Sequence, residues 1–437
     1  MRIRILAIVL LLALALPAVA QEHWVATWAA SPQSATFNFP MPRNAAPPRA
    51  DAPPAQAPRA ESSAPRPAAQ GNAPSPFAMP PGLTNQTVRM IVNTSIGGNR
   101  VRVSLSNAYG TGPLSIGAAH IALHAKDSAI VPESDRALTF SGKPAFVIPP
   151  GALVVSDPVD LKVPKQGDLV VSLFVAGEPT SPTIHLTGLH TTYVSNQPGD
   201  LTKAAEIADA KTYQSWYWIS SVDVLAPAGA GAVVAFGDSI TDGATSTPDA
   251  NRSWPAQLAL RLAANAKTAE VAVVNEGISG NRVLADGAGV SALARFDRDV
   301  LTEAGAKWLI VLEGINDIGM STMMGGAVSA DELIAAHKQL IERAHMHGIK
   351  AIGATLLPYG GATYYTEKGE AIRQALNQWI RTSGAYDAVV DFDAKLRDPH
   401  DPSQLNPAYY LSDHLHPNDA GYKLMAEAVD LALFQGR

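Results

Sequence analysis

The sequence predicts two kinds of fold in one chain: an antiparallel β-sandwich or jelly roll over residues 84–228, then an α/β unit with a doubly wound parallel sheet over residues 229–437. Three observations carry this. Before Gly229, short runs alternate apolar and polar residues between Gly/Pro turns, as half-buried strands do. After it, the strand-like runs are apolar throughout, as strands covered on both faces are. Those later runs also alternate with stretches of helical period, the pattern of a parallel sheet with crossover helices.

The chain opens on MRIRILAIVLLLALALPAVA. Arg2 and Arg4 form a basic start, an apolar run spans Ile5 to Leu16, and Ala18-Val19-Ala20 reads as a cleavage site. Residues 1–20 are therefore expected to be an export signal, with the mature chain starting at Gln21 in the periplasm or outside the cell. The run is short for a membrane span, and no later stretch is apolar enough for one.

Residues 21–37 follow. The alternation of Trp24, Ala26 and Trp28 predicts a strand with both aromatics on one face. Residues 38–83 are dominated by Pro and Ala (PRNAAPPRADAPPAQAPRAESSAPRPAAQ). They offer little to bury and few backbone donors, so a disordered or polyproline-like insertion is expected.

Within 84–228, TVRMIVNTSI and VRVSL are joined by Gly97-Gly98-Asn99 and predict a hairpin. IGAAHIALH, RALTF, AFVIPP, DLVVSLFVAG and TIHLTGLHTTYV continue the strand pattern. Within 229–437 the strand candidates are AVVAFG, EVAVVNEG, KWLIVLEG, KAIGATLLP and AVVDF. Among the intervening helices SADELIAAHKQLIERAHMHG is the clearest, with a Ser329/Glu332 capping box and Gly348 at its stop.

Composition narrows the chemistry. With 437 residues and 47% hydrophobic content, two cores are feasible. The absence of cysteine excludes disulfides, zinc–thiolate sites and a cysteine nucleophile. A formal net charge of −6 with no Lys/Arg run leaves no footprint for nucleic acid. His337, His345 and His347 share a helix, but their spacing does not put all three on one face, so no metal site is expected.

Four segments carry candidate chemistry. GDSIT delivers Ser239 just beyond the carboxyl end of the first strand, where open α/β sheets bind ligands. It is not a G-x-S-x-G elbow, because Thr241 stands where that motif has glycine. SDHLHP places His416 before the last helix with Asp413 three residues upstream. A serine hydroxyl needs a base, and the base needs a partner to fix its tautomer. VVNEGISGN puts Gly280 after the second strand, and VLEGIND puts Asn316 after the third. Both can supply donors to a developing oxyanion. Each segment alone also reads as a turn, a cap or a solvated loop. Nearby Arg252, Arg282, Glu313 and Asp317 read as loop-holding charges or substrate contacts, Trp254 as core, and His414 as structural.

Taken together in order, GDSIT, GISGN, GIND and DHLHP resemble the SGNH/GDSL hydrolase family. Ile240 stands where the family name has leucine. The resemblance implies a flavodoxin-like doubly wound sheet. It makes Ser239 the nucleophile, His416 the base and Asp413 its orienting partner. It also implies an oxyanion hole built from Ser239, Gly280 and Asn316, with no cofactor or metal required. The layout is also similar to a two-domain group related to acetylxylan esterases, with a WVATWA-like start. The expected activity is hydrolysis of small acyl esters, acetyl foremost, on a carbohydrate. A lipase, lysophospholipase or thioesterase on the same site, or a carbohydrate-binding protein without activity, are the alternatives. The β-rich region is expected either to be scaffold or to shape substrate choice without contributing to the chemistry.

Overall fold

Glycine and alanine at its entry, then a run of β-branched and aromatic residues, set the first strand of the α/β unit, Gly231–Gly237, and every residue in it is buried. In the computed structural model, which describes residues 22–35, 83–178, 181–323 and 328–435, this strand lies inside a five-stranded sheet. Its neighbours are Val271–Gly277 and Ala306–Leu312; Lys350–Ala354 and Ala388–Val390 follow. All the pairings are parallel. The order is second, first, third, fourth, fifth, the flavodoxin-like order in which the chain reverses direction across the first strand. The residues after the first three strands thus emerge side by side at one end of the sheet.

The predicted helix over SADELIAAHKQLIERAHMHG forms as Ala330–Met346, with the Ser329/Glu332 capping box in place and Gly348 left-handed just beyond the stop. Trp254 is completely buried at the start of helix Trp254–Ala264. The export signal over 1–20 lies outside the described residues, as does the Pro/Ala-rich stretch up to its last residue, Leu83, which is buried in the β-rich core.

The β-rich region consists of antiparallel sheets. One runs Trp24–Ala29, Ile219–Leu225, Gly98–Ser106, Val159–Val163; a larger one contains Gln86–Asn93, Asp168–Val175 and Leu114–Lys126. Two expectations are corrected here. Gln86–Asn93 and Gly98–Ser106 do not form a hairpin, because each belongs to a different sheet. Val88, Met90 and Val92 of one strand share a single core with Val101, Val103 and Leu105 of the other. The two strands therefore stack face to face, which satisfies the same alternation as edge pairing.

The second correction concerns the aromatics. Ala26 pairs with Asp223 and Trp28 with Val222, so Thr27 is an extra residue in the strand. Such a bulge inverts the inside–outside parity beyond it. Trp28 therefore joins Val25 in the β-rich core and packs edge-on against Trp216, while Trp24 lies under the Arg102 guanidinium.

The two units are joined by more than the connection. Ala26 and Ala29 pack into the core of the α/β unit. The edge strand Val271–Gly277 donates its Val273 amide to Ser95 Oγ of the β-rich region, which occupies a donor that an edge would otherwise expose.

Candidate active site

Asp238 follows the first strand and caps the single turn Ser239–Asp242, its Oδ1 accepting from the Ile240 amide at 2.9 Å. Ser239 is the first residue of that turn, a position whose amide has no acceptor within a helix. Its Oγ lies 2.8 Å from His416 Nε2. The other ring nitrogen, Nδ1, lies 2.6 Å from Asp413 Oδ2. Asp413 Oδ1 accepts from the amides of Leu415 and His416, each at 3.0 Å. Burial works against the Asp413 charge, but the His416 imidazole and those amides outweigh it and hold the carboxyl down at about 2. A hydroxyl, an imidazole and an ionised carboxylate in this sequence form the arrangement that activates serine.

The structure brings the other two candidates to the same place. Gly280 takes φ +80°, a left-handed conformation costly for other residues, in the loop after the second strand. Asn316 sits in the first turn of helix Ile315–Met323, just beyond the third strand. It is 3% exposed, and one Nδ2 hydrogen is donated to the Asn281 carbonyl at 3.0 Å. The Asn316 amide and the Gly280 loop are therefore in contact, and the second Nδ2 hydrogen is available for another acceptor.

Residues that the motifs did not single out hold this loop. Ser279 donates both its amide and its Oγ to Asp242 Oδ2, at 2.8 and 2.6 Å. A side chain at Gly277 would collide with the Asp242 backbone, so glycine is what lets the second strand approach the Ser239 turn. Asp317 accepts from the Val283 and Leu284 amides at 2.7 and 3.0 Å, and it holds the loop by these bonds rather than by a salt bridge. Tyr364 donates a long bond, 3.4 Å, to Asn316 Oδ1.

Beneath the site, Arg295 is fully enclosed. It donates to Gly237 O, Glu276 O, Asn281 Oδ1 and Ser31 Oγ, and it pairs with Asp299 and Glu313. One guanidinium thus ties the ends of the first two strands, the Gly280 loop and the N-terminal segment. Glu313, a flanking charge in the sequence, belongs to this network, and burial pushes its carboxyl well above the ordinary range. Arg282 donates to the Asp286 carbonyl, and Arg252 is exposed.

His414 takes φ +57° and packs against Tyr410, outside the Ser239–His416–Asp413 chain. His337 accepts from Tyr386 Oη at 2.6 Å and donates to the Glu313 carbonyl; burial pushes it down to about 4, so it is a neutral core histidine. Among the described residues no group of three or more His, Cys, Asp or Glu is placed to hold a metal ion. No described helix is long and apolar enough to cross a membrane.

Fold and site together set a serine hydroxyl, an imidazole and a carboxylate at the carboxyl end of a parallel sheet. Residues 235–424 match the model of the GDSL-like Lipase/Acylhydrolase family. The chain carries a GDSL-like lipase/acylhydrolase domain and is a carboxylic ester hydrolase of the SGNH/GDSL type.

A comparison with curated proteins finds no match. Among solved structures the chain is similar to a GDSL-like lipase from Bacteroides thetaiotaomicron, at 24% identity and TM-score 0.36, over 46% of this chain and 87% of that one. It is also similar to a catalytic mutant of an acetylxylan esterase from Geobacillus stearothermophilus, at 23% identity and TM-score 0.36, over 45% and 91%. An α/β hydrolase from the metagenome of Lake Arreo, Spain, aligns at 22% identity and TM-score 0.37, over 45% and 92%.

Proposed function

We propose that the protein hydrolyses small acyl esters, acetyl esters on carbohydrate foremost, through an acyl-enzyme formed on Ser239. The observation that carries this reading is the unbroken chain Ser239 Oγ–His416–Asp413 at the carboxyl end of the sheet. In it, His416 takes the hydroxyl proton as Oγ attacks the ester carbonyl, and Asp413 orients the ring and stabilises its cation. The oxyanion collects on the Ser239 and Gly280 amides and the Asn316 side chain. His416 then returns the proton to the leaving alcohol. Water, deprotonated by the same imidazole, releases the acid and regenerates Ser239. The short acyl chain and carbohydrate alcohol rest on the resemblance to the acetylxylan-esterase group. Export to the periplasm or beyond rests on the leader sequence over 1–20.

The test is a panel of p-nitrophenyl acetate, butyrate and octanoate, acetylated xylan, a lysophospholipid and an acyl thioester, run beside Ser239→Ala. The expected result is fastest turnover of acetate, release of acetate from xylan, and an inactive Ser239→Ala protein that melts like the wild type. Preference for octanoate or the lysophospholipid would replace the substrate assignment. Wild-type turnover by Ser239→Ala would end the whole reading.

A further inference from the structure

Among the side chains that join the β-rich region to the site, His185 reaches the turn that carries Ser239. His185 belongs to the strand Thr183–His185, which pairs with Gln33–Ser34 and Trp216–Tyr217, all before the α/β unit begins. Its Nε2 lies 2.9 Å from Asp242 Oδ1, and its Nδ1 lies 2.9 Å from the Ser31 carbonyl. The two side chains are each 3% exposed.

The Ser31 carbonyl only accepts, so Nδ1 carries a hydrogen; with a carboxylate at Asp242, Nε2 donates too and the contact is an imidazolium–carboxylate pair. Burial and nearby Arg295 oppose that charge, and Asp242 with the Ser31 carbonyl outweighs them, which holds the ring above the ordinary histidine range. The second oxygen of Asp242 holds Ser279 by its amide and hydroxyl, and Gly280 is the next residue. Asp242 itself closes the turn that begins with Ser239.

From this juxtaposition we infer that His185 is a positioning residue for ester hydrolysis: through Asp242 and Ser279 it fixes the Gly280 amide relative to Ser239, so that the β-rich region completes the oxyanion hole. The inference rests on the oxyanion role proposed above for Gly280. It assigns the β-rich region a part in the chemistry, whereas the sequence alone gave it scaffold or substrate choice. The geometry explains why the contact uses an ion pair. Asp242 has two oxygens and three donors, and an imidazolium fixes the direction of the one that comes from the other unit. A small displacement of an oxyanion donor is costly, since misplacement by about 1 Å can reduce rate by roughly a hundredfold.

Two substitutions separate positioning from stability. Glutamine places its amide nitrogen near the imidazole Nε2 and keeps the Asp242 contact. Asparagine places its nitrogen near Nδ1 and keeps only the Ser31 contact. Both remove the buried charge. With p-nitrophenyl acetate as substrate and phenylboronic acid as tetrahedral analogue, His185→Asn is expected to lose kcat by roughly 10–100-fold. KM should hold within about threefold, and the boronate Ki should rise in step with the loss. His185→Gln should recover most of kcat at the same melting temperature as His185→Asn. Equal kcat in the two variants, or a wild-type kcat in His185→Asn, would overturn the inference. If His185→Asn does not fold, Ser279→Ala keeps the ion pair and removes one contact to Asp242. A fall in its kcat with a matching rise in boronate Ki supports the clamp, and unchanged values overturn it. Ser239→Ala, run alongside, keeps the questions apart: an inactive Ser239→Ala beside a fully active His185→Asn removes the clamp and leaves the proposed function standing.

Discussion

At the scale of single residues, Asn316 has two tasks for one amide. One Nδ2 hydrogen is committed to the Asn281 carbonyl at 3.0 Å, which leaves the other for the oxyanion role proposed above. Asn316→Ala is expected to lower kcat by roughly 10²–10³-fold with little change in KM, as loss of a donor made only in the transition state does. A raised KM at constant kcat, measured on p-nitrophenyl acetate, would make Asn316 a substrate contact instead. The Ser, Gly, Asn and Asp-x-x-His segments were legible because each stands within a few residues of its own strand end or helix start. Asp242 lies in the same short turn as Ser239, and its helical spacing was a usable signal. His185 gave none, since its partner lies 57 positions away and in another unit.

At the scale of elements, continuous apolar runs and helix caps were read reliably because both are local. The Ser329 hydroxyl and the Glu332 carboxylate satisfy each other's backbone amides at the start of Ala330–Met346. The buried face of that helix carries Leu333, Ala336, His337, Leu340, Ile341 and Ala344. Ser329→Ala should therefore cost about 1 kcal/mol of stability, a cap's typical worth, and thermal melting would show a modest fall with kcat preserved. A fall in kcat at unchanged stability would mean that this helix end also serves the site. The face-to-face placement of Gln86–Asn93 and Gly98–Ser106 was not legible. Alternation reports which residues face a core, and it is silent on whether the next strand lies beside or opposite. The bulge at Thr27 escaped for a related reason, because threonine in a strand carries no mark of an unpaired residue.

At the scale of the whole molecule, the site stands over a set of enclosed acids. Burial pushes Asp238 up from 3.8 to about 7, and its Oδ2 has no hydrogen-bond partner. Glu276, Glu303 and Glu313 are raised by the same cause. For Asp238 the fold holds a proton that the unfolded chain has released between those two values. Its contribution to stability is therefore full below 3.8 and is lost as pH rises toward 7. Asp413, held down at about 2, acts in the opposite sense and loses its contribution as pH falls from 3.8 toward 2. Asp238→Asn keeps an acceptor for the Ile240 amide and removes the titration. Its melting temperature should fall less steeply between pH 4 and pH 7 than that of the wild type; parallel curves would show that Asp238 is ionised in the fold throughout.

The central claim, that Ser239 is the nucleophile activated by His416 and Asp413, is tested most directly by exposure to a fluorophosphonate and mass mapping of the adduct. The account predicts one phosphonylated site, on the peptide carrying Ser239, absent in Ser239→Ala and formed much more slowly in Asp413→Asn. A stable adduct on another serine, or undiminished ester hydrolysis in an unlabelled Ser239→Ala protein, would contradict it.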